Sequence, residues 1–274
     1  MSGSLIHLRN VSLIYPKMST PVFTNLCLAI EPGRFYAVVG ANGRGKTSLC
    51  RMLADLIPSF FEGEITGSVD RYLDSARIQY VGDHPDSQLS GVTRSVRNEL
   101  AFGLENLGQE PRTIQEQVSH WGHRLGLDPW LDIAPRYLSG GLKQKVAIGA
   151  ALVVSPQLLI LDEPTSQLDP AGTLLIFQLL QQLKREEGLT VVVAEHKISA
   201  LTEVADEFLP LDLPEVTRTY AVDQFLDRPL VERCGAPMPP WVVVQSHLVR
   251  QIAYGSWQVK VPEFQEQIKK LVKR

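Results

Sequence analysis

The sequence predicts an α/β fold: a parallel sheet with an antiparallel β subdomain near its start and an α-helical subdomain inserted in its middle. Three observations support this prediction: short apolar runs of strand length, a glycine-rich loop directly after the first of them, and helical periodicity between the others. This order of elements is typical of a parallel α/β core, and 274 residues are enough for one large domain with an appendage.

The predicted strands are of two kinds. Residues 5–15 and 22–30 alternate between apolar and polar side chains, which predicts two half-buried antiparallel strands joined by a turn rich in Pro and Ser. Residues 35–39, 158–161 and 190–194 are almost entirely apolar, which predicts strands covered on both faces. The second kind therefore forms the parallel core.

Helices are predicted between these strands. One runs from Thr47 to about Leu56, directly after the glycine-rich loop. Apolar side chains recur at helical spacing before the last core strand, at Ile176, Leu179, Leu180 and Leu183. Three more amphipathic patterns lie between residues 93 and about 155, which predicts the inserted helical subdomain. The core is expected to end near Leu211, which gives a domain of residues 1–211 and a C-terminal extension of residues 212–274.

Composition narrows the class of protein. Lys and Arg number 27 and Asp and Glu 30, so nothing supports a broad basic face that binds nucleic acid. Three widely spaced cysteines argue against a disulfide framework and fit a reducing compartment. No apolar run approaches the ~20 residues of a membrane-spanning helix, and the N-terminus lacks the pattern of a signal peptide. We expect a cytosolic protein that reaches a membrane only by docking onto another chain.

A phosphate-binding loop is predicted at residues 40–47, which fit the pattern G-x-x-x-x-G-K-[ST] between a strand and a helix. Glycines let backbone N–H groups approach phosphate oxygens, and the helix N-terminus adds partial positive charge at the same point. Lys46 would supply positive charge for the β- and γ-phosphates, and the Thr47 hydroxyl is placed for Mg²⁺. Arg44 occupies a variable position of the loop and is expected to be solvated.

Acidic and histidine side chains follow the two other core strands. Asp162 and Glu163 follow residues 158–161 directly, and ligands of α/β proteins bind at the carboxyl edge of the sheet. We expect Asp162 to hold Mg²⁺ through water and Glu163 to polarise the water that attacks the γ-phosphate. His196 follows residues 190–194 and is expected to contact the same phosphate.

A second anion-binding helix N-terminus is predicted before the third pattern of the helical subdomain. Ser139 is suited to cap this helix, and Gly140 and Gly141 would expose further backbone N–H groups. On spacing alone this signal is weak, because Ser-Gly-Gly before a helix is common.

Together, these motifs resemble those of the ATP-binding-cassette (ABC) ATPases. Residues 40–47 resemble the Walker A motif, residues 158–163 the Walker B motif and residues 138–141 the signature loop. Residues 166–169 resemble the D-loop, and His196 resembles the switch histidine. Five motifs in the family's order make the resemblance specific.

The resemblance covers about residues 5–211 and implies a P-loop NTPase core with a RecA-like sheet, with ATP and Mg²⁺ as cofactors. It implies a head-to-tail dimer in which the signature loop of one chain closes over the γ-phosphate held by Lys46 of the other. The catalytic residues that it implies are Lys46, Glu163 and His196. The implied nucleotide-binding residues are Tyr15, which would stack on adenine, and Gly40, Ala41, Asn42, Gly43, Arg44, Gly45, Lys46, Thr47, Ser48, Ser139, Gly140 and Gly141.

A narrower resemblance is to the energy-coupling-factor (ECF) ATPases of importers for vitamins and transition-metal ions. It rests on residues 84–89, 96–108 and 164–170. It implies a second ATPase subunit, identical or paralogous, a transmembrane coupling subunit that faces the helices of residues 93–137, and a substrate-binding membrane subunit. The chain would then be a peripheral subunit at the cytoplasmic face of the cell membrane.

Two positions depart from the family's pattern. Asp83 stands where the family has the Q-loop glutamine, and an ionised carboxylate cannot donate a hydrogen bond. Asp83 could still reach Mg²⁺ directly or through water, so the implied metal site is Thr47, Asp162 and Asp83. Leu142 replaces the usual glutamine of the signature loop. We expect an active ATPase with modified coupling between hydrolysis and transport.

Two alternative functions stay open at this point. The first is a soluble cassette ATPase that acts in DNA repair or translation. The short helical insertion argues against the repair type and the single cassette against the translation type, and the acidic balance of charge supports neither. The second is a regulatory module that binds nucleotide without hydrolysing it, and the presence of Glu163 and His196 argues against it.

Overall fold

Nine strands and eight α-helices lie along residues 3–196, 198–211 and 219–226, the part of the chain that the computed structural model describes. The strands are β1 (Ile6–Ile14), β2 (Phe23–Ile30), β3 (Phe35–Val39), β4 (Glu64–Arg71), β5 (Ile78–Val81), β6 (Leu158–Asp162), β7 (Thr190–Ala194), β8 (Glu207–Pro210) and β9 (Tyr220–Ala221). The helices are α1 (Lys46–Leu53), α2 (Pro85–Gln88), α3 (Val96–Asn106), α4 (Pro111–Arg124), α5 (Gly140–Leu152), α6 (Pro170–Glu187), α7 (Ile198–Leu201) and α8 (Val222–Phe225).

The larger sheet has six strands in the order β5-β6-β7-β3-β8-β9, all parallel except β9. Every residue of β3, β6 and β7 is buried, because the sheet is covered on both faces. This confirms the predicted parallel α/β core. The shorter strands β5 and β8 escaped prediction, since each has only four residues and includes a polar one, Gln79 or Glu207, so neither forms an apolar run of strand length.

The smaller sheet is antiparallel, in the order β2-β1-β4. Strands β1 and β2 pair antiparallel, with Ile6 opposite Ile30, and the predicted hairpin is confirmed. Strand β4 was not predicted, because it is largely polar and carries Gly67 in its middle. A Cβ at position 67 would lie 2.4 Å from the carbonyl oxygen of Asn10 in β1, so only glycine lets the two strands approach at this point.

Three helices, α3, α4 and α5, form the inserted helical subdomain and bury most of the side chains that their amphipathic patterns single out, although Leu107 is exposed. Leu100, Val118, Trp121, Leu125 and Val146 belong to one apolar cluster. The subdomain is inserted between β5 and β6, and these two strands are neighbours in the larger sheet. The helices lie within the predicted residues 93–155, while the domain limits themselves stay a prediction.

The larger sheet continues past Leu211, the position where the sequence pattern suggested that the core ends. Strand β9 pairs with Glu207 and Phe208 of β8, and the ring of Phe225 stacks on Phe208 with centroids 4.4 Å apart. Most of the predicted C-terminal extension, including its Pro-rich stretch and its terminal amphipathic helix, lies outside the described residues. Among the described helices, none combines the length and apolar character that crossing a bilayer requires.

Candidate functional site

The candidate site lies at the carboxyl edge of the larger sheet, where four neighbouring parallel strands end. In spatial order, β5 leads to Asp83, β6 ends in Asp162, β7 leads to His196, and β3 leads to Gly40. The sheet order therefore brings these residues, which are far apart in sequence, to one edge, where ligands of α/β folds bind.

The predicted phosphate loop connects β3 to α1 and depends on its glycines. Gly40, Gly43 and Gly45 have φ values of 153°, 76° and 87°. A Cβ at position 40 would lie 2.8 Å from the carbonyl oxygen of Leu211, and one at position 45 would lie 2.5 Å from Cγ1 of Val22. The loop is thus closely packed at Gly40 and Gly45 but open at Gly43, and glycine at these positions leaves its backbone free to face a phosphate.

Lys46 begins α1 and is buried inside this loop. Its Nζ donates hydrogen bonds to the carbonyl oxygens of Gly40 at 2.9 Å and Ala41 at 3.2 Å. Burial lowers the pKa of Lys46, while the negative charges of Glu163 and Asp162 counteract that shift. The ammonium group is therefore held by the loop, and the acids at the end of β6 act on it through their charge.

Asp162 is fully buried and has one carboxylate oxygen without a partner. The hydroxyl of Tyr80 donates to Oδ2 at 3.4 Å, whereas Oδ1 has no hydrogen-bond partner among the described residues. Burial raises the pKa of Asp162, and the nearby hydroxyl of Thr47 lowers it, although it makes no hydrogen bond of regular geometry to Oδ1. The charge of Asp83, which follows the neighbouring strand β5, also raises this pKa.

Glu163 and His196 form a direct pair at the same edge. Nε2 of His196 lies 3.0 Å from Oε1 of Glu163, and both side chains are about one third exposed. Glu163 has a φ of 50°, and its N–H donates to the carbonyl oxygen of Ala194 at 2.8 Å. A left-handed backbone is unusual for glutamate and directs this side chain away from the course of β6.

Two buried residues beside this pair were missed by the sequence analysis. Oε1 of Glu195 accepts a hydrogen bond from the backbone N–H of His196 at 2.8 Å, and the hydroxyl of Thr165 donates to Oε2. The sequence offers one signal for Glu195, which is an acidic residue directly between an apolar strand and His196. Tyr80 was also missed, because its partner Asp162 is distant in sequence.

Tyr15 lies just after β1, and its hydroxyl donates to Oγ of Ser48 in α1 at 3.0 Å. This hydrogen bond connects the predicted adenine-stacking residue to the helix that follows the phosphate loop. Asn42 and Arg44 are exposed at the tip of that loop, as expected for Arg44.

The predicted signature loop lies elsewhere on the chain. Oγ of Ser139 accepts from the N–H of Leu142 at 3.4 Å, which confirms the predicted helix cap. A Cβ at Gly140 would lie 2.9 Å from Oε1 of Gln167, so the loop packs closely on the segment after Glu163. The two segments line a shallow surface cleft to which residues 40–47 contribute nothing. A single chain therefore does not bring the signature loop and the phosphate loop into one cleft.

Comparison with known proteins agrees with the resemblance stated above. Residues 23–166 match the ABC transporter family. The chain is 31% identical over 261 residues to the energy-coupling factor transporter ATP-binding protein EcfA1 of Lactobacillus gasseri, covering 92% of this chain and 90% of that protein. It is 33% identical over 243 residues to the energy-coupling factor transporter ATP-binding protein EcfA of Methanothermobacter thermautotrophicus, covering 86% and 77%.

A solved structure has the same fold. It is cbiO1 from Clostridium perfringens, part of the ABC transporter complex cbiONQ, which matches with a TM-score of 0.72 at 24% identity. The match covers 89% of this chain and 99% of that chain. This likeness confirms the predicted fold class, a parallel sheet with an antiparallel β subdomain and inserted helices.

Proposed function

This chain belongs to the family of ABC transporter ATP-binding proteins, and we propose that it hydrolyses ATP at the carboxyl edge of its larger sheet to drive an ECF-type importer. The family couples ATP hydrolysis to transport. The observation that supports this site most directly is the contact between Glu163 and His196, at the sheet edge that also carries Lys46 and Asp162. Two relatives named as ECF transporter ATP-binding proteins support the importer type.

The phosphate loop binds the nucleotide. Backbone N–H groups of the glycine-rich segment and the N-terminus of α1 attract the phosphate oxygens, and the ammonium of Lys46 adds a full positive charge. Tyr15 supplies an aromatic ring for the adenine. Its hydrogen bond to Ser48 fixes that ring relative to α1, which begins at the phosphate loop.

Mg²⁺ fits the residues beside Thr47. A hard cation prefers oxygen ligands, and the unpartnered Oδ1 of Asp162 lies at the sheet edge that also leads to Asp83 and that α1, with Thr47, adjoins. No group of three or more His, Cys, Asp or Glu side chains suited to a metal occurs in the described ranges. Thr47, Asp162 and Asp83 would hold the ion together with oxygen atoms of the bound phosphates. The ion supplies charge neutralisation for the phosphates.

Glu163 orients and deprotonates the attacking water as a general base, since it projects from the strand end beside the phosphate loop. His196 lies against the same carboxylate and contributes a hydrogen bond near the γ-phosphate. In this division of roles, the buried carboxylate of Asp162 binds the metal.

The complete site needs a second ATPase subunit, identical or paralogous. Ser139, Gly140 and Gly141 of the signature loop line a surface cleft to which the phosphate loop of the same chain does not contribute, and Ser139 is exposed there. Its helix N-terminus carries partial positive charge that suits the γ-phosphate bound by the other subunit.

The membrane partners are a transmembrane coupling subunit and a substrate-binding membrane subunit. The helices of residues 93–137 present several exposed apolar side chains, among them Phe102, Leu107, Trp130 and Ile133, which suit contact with another protein. The chain then works as a peripheral subunit on the cytoplasmic face of the membrane.

Replacing the proposed base tests the function. Glu163→Gln keeps the shape of the side chain but cannot accept the proton, so we expect phosphate release to fall at least ~100-fold. ATP-dependent association of the chains, followed by light scattering, should persist. Glu64→Gln on the exposed strand β4 is the matched control and should hydrolyse ATP like the parent. Parental turnover by Glu163→Gln would refute the assignment of the base.

A further inference from the structure

A buried glutamate connects the two loops that carry Glu163 and His196. We propose that Glu195 is a positioning residue that sets the distance between these two side chains; the inference rests on the function proposed above for His196. Glu195 does not contact the nucleotide side of the site in this proposal. It acts through the backbone of its neighbour.

The contacts of Glu195 lie on two loops at once. Its side chain is only 3% exposed, and each carboxylate oxygen has a separate task. Oε1 accepts from the N–H of His196 at 2.8 Å, at the start of the loop after β7. Oε2 accepts from the hydroxyl of Thr165, two residues after Glu163 and itself fully buried. One carboxylate therefore bridges the loop of the base and the loop of the histidine.

The backbone of Glu195 is fixed as well. Its N–H donates to the carbonyl oxygen of Val38 at 3.2 Å, in the strand that leads into the phosphate loop. The acid is therefore attached to β3, to Thr165 and to His196. A residue that is hydrogen-bonded to a buried strand can restrict the positions of the groups that its side chain contacts, here Thr165 and His196.

These contacts close a ring. From Glu163 the chain runs to Thr165, whose hydroxyl contacts Glu195, and the adjacent His196 returns to Glu163 through its ring at 3.0 Å. Opening the ring at Glu195 leaves a buried hydroxyl and a backbone N–H without this acceptor. The Glu163–His196 contact then loses this bridge between the two loops, and small displacements of catalytic groups cost large factors in rate.

The proposal is tested with Glu195→Ala and Glu195→Gln in the full chain. Gln keeps an acceptor for the His196 N–H, and its amide can donate to the Thr165 hydroxyl, so Gln should retain most activity. Ala should lower kcat about 10- to 100-fold, the cost of a misplaced catalytic group. The KM for ATP should change by less than kcat, because the hydrogen bonds named above lie outside the phosphate loop, and Glu195 acts on Lys46 through its charge.

A double-mutant cycle separates positioning from general damage. If Glu195 acts through His196, Glu195→Ala should change kcat by less than about twofold in a His196→Ala background. Hydrogen exchange at the His196 amide gives a readout that does not need activity: exchange should be faster in Glu195→Ala and parental in Glu195→Gln. Should the Ala variant not fold, Thr165→Val removes one of the two hydrogen bonds and should give a smaller loss of kcat with faster loop exchange.

Three results would overturn the proposal. These are parental kcat in Glu195→Ala, the same factor of loss with and without His196, or equal amide exchange in all variants. The proposed function fails in a different way, because His196→Ala alone would then keep the parental rate.

Discussion

At the scale of the residue, the chemistry depends on buried polar atoms whose partners come from distant segments. Lys46 is held by the carbonyl oxygens of Gly40 and Ala41, and Asp162 accepts from Tyr80. Each of these atoms is desolvated, so its remaining interactions are stronger than they would be in water. We therefore expect a single substitution at Lys46 or Tyr80 to impair mainly the binding of one ligand, ATP or Mg²⁺ respectively.

Removing the ammonium of Lys46 should weaken ATP binding. Lys46→Ala deletes the point charge closest to the phosphates, so we expect the Kd for ATP to rise at least ~10-fold, as for loss of a charge-assisted hydrogen bond. Titration with a fluorescent nucleotide measures it. Arg112→Ala removes an exposed cation from α4 and should leave the Kd unchanged. Equal Kd values for Lys46→Ala and the parent would refute the phosphate site.

Removing the hydroxyl of Tyr80 should raise the concentration of Mg²⁺ that nucleotide binding requires. Tyr80→Phe leaves Oδ2 of Asp162 without its donor, so we expect half-maximal Mg²⁺-dependent nucleotide binding at about two- to tenfold higher Mg²⁺, the worth of one hydrogen bond. Tyr36→Phe is the matched control, since its buried hydroxyl contacts the Glu31 backbone instead. A Tyr80→Phe curve that overlays the parental one would contradict the role of this hydroxyl.

At the scale of the element, backbone atoms limit how closely strands β1 and β4 can approach each other. Gly67 of β4 has a φ of 87° and lies against the carbonyl oxygens of Asn10 and Arg9 in β1. Gly33, in the turn between β2 and β3, has a similar φ of 69° but no atom within 4 Å of an added Cβ. The two positions thus differ in packing while sharing a left-handed backbone.

Gly67→Ala should destabilise the smaller sheet far more than Gly33→Ala. Both substitutions carry the cost of a left-handed alanine, about 1–2 kcal/mol. Only Gly67→Ala also forces β1 and β4 apart, so its free energy of unfolding should fall by at least ~1 kcal/mol more. Denaturant unfolding of both variants measures the difference. Equal losses would show that β1 and β4 are not paired as described.

How well the sequence predicts each feature depends on how far apart in the sequence the interacting residues are. Lys46 and Asp162 were identified because their motifs are local: a loop between strand and helix, and an acid at the end of an apolar run. Glu195 and Tyr80 were not, because their roles arise from hydrogen bonds between segments that only folding brings together. Strand β4 was missed for a related reason. Its glycine is required by the close backbone of β1, and its polar residues do not form the apolar pattern that marks a core strand.

At the scale of the whole molecule, the proposed site is shared between two chains. The phosphate loop and the signature loop of one chain lie in separate places, and a head-to-tail arrangement lets each complete the other's site. Two inactive variants should then restore activity when they are mixed, provided that each lesion lies in a different half of the site.

For two identical chains, mixing Lys46→Ala with Gly141→Asp should recover about a quarter of the parental rate. Half of randomly formed dimers are mixed, and each mixed dimer has one intact site of two. Phosphate release at a fixed total concentration of chains measures this. Either variant alone, at the same concentration, is the control. An unchanged rate on mixing would contradict a symmetric pair of identical chains.

The insertion of α3, α4 and α5 between adjacent strands has a mechanical consequence. The chain leaves the sheet after Val81 at its carboxyl edge and returns at Leu158 at its amino edge, since β5 and β6 are parallel with Ile78 opposite Leu158. Asp83 therefore lies on the outgoing connection, whereas β7 and β3 have no direct covalent connection to the three helices. A force applied to these helices reaches Asp83 through the main chain before it reaches the strands that lead to His196 and to the phosphate loop.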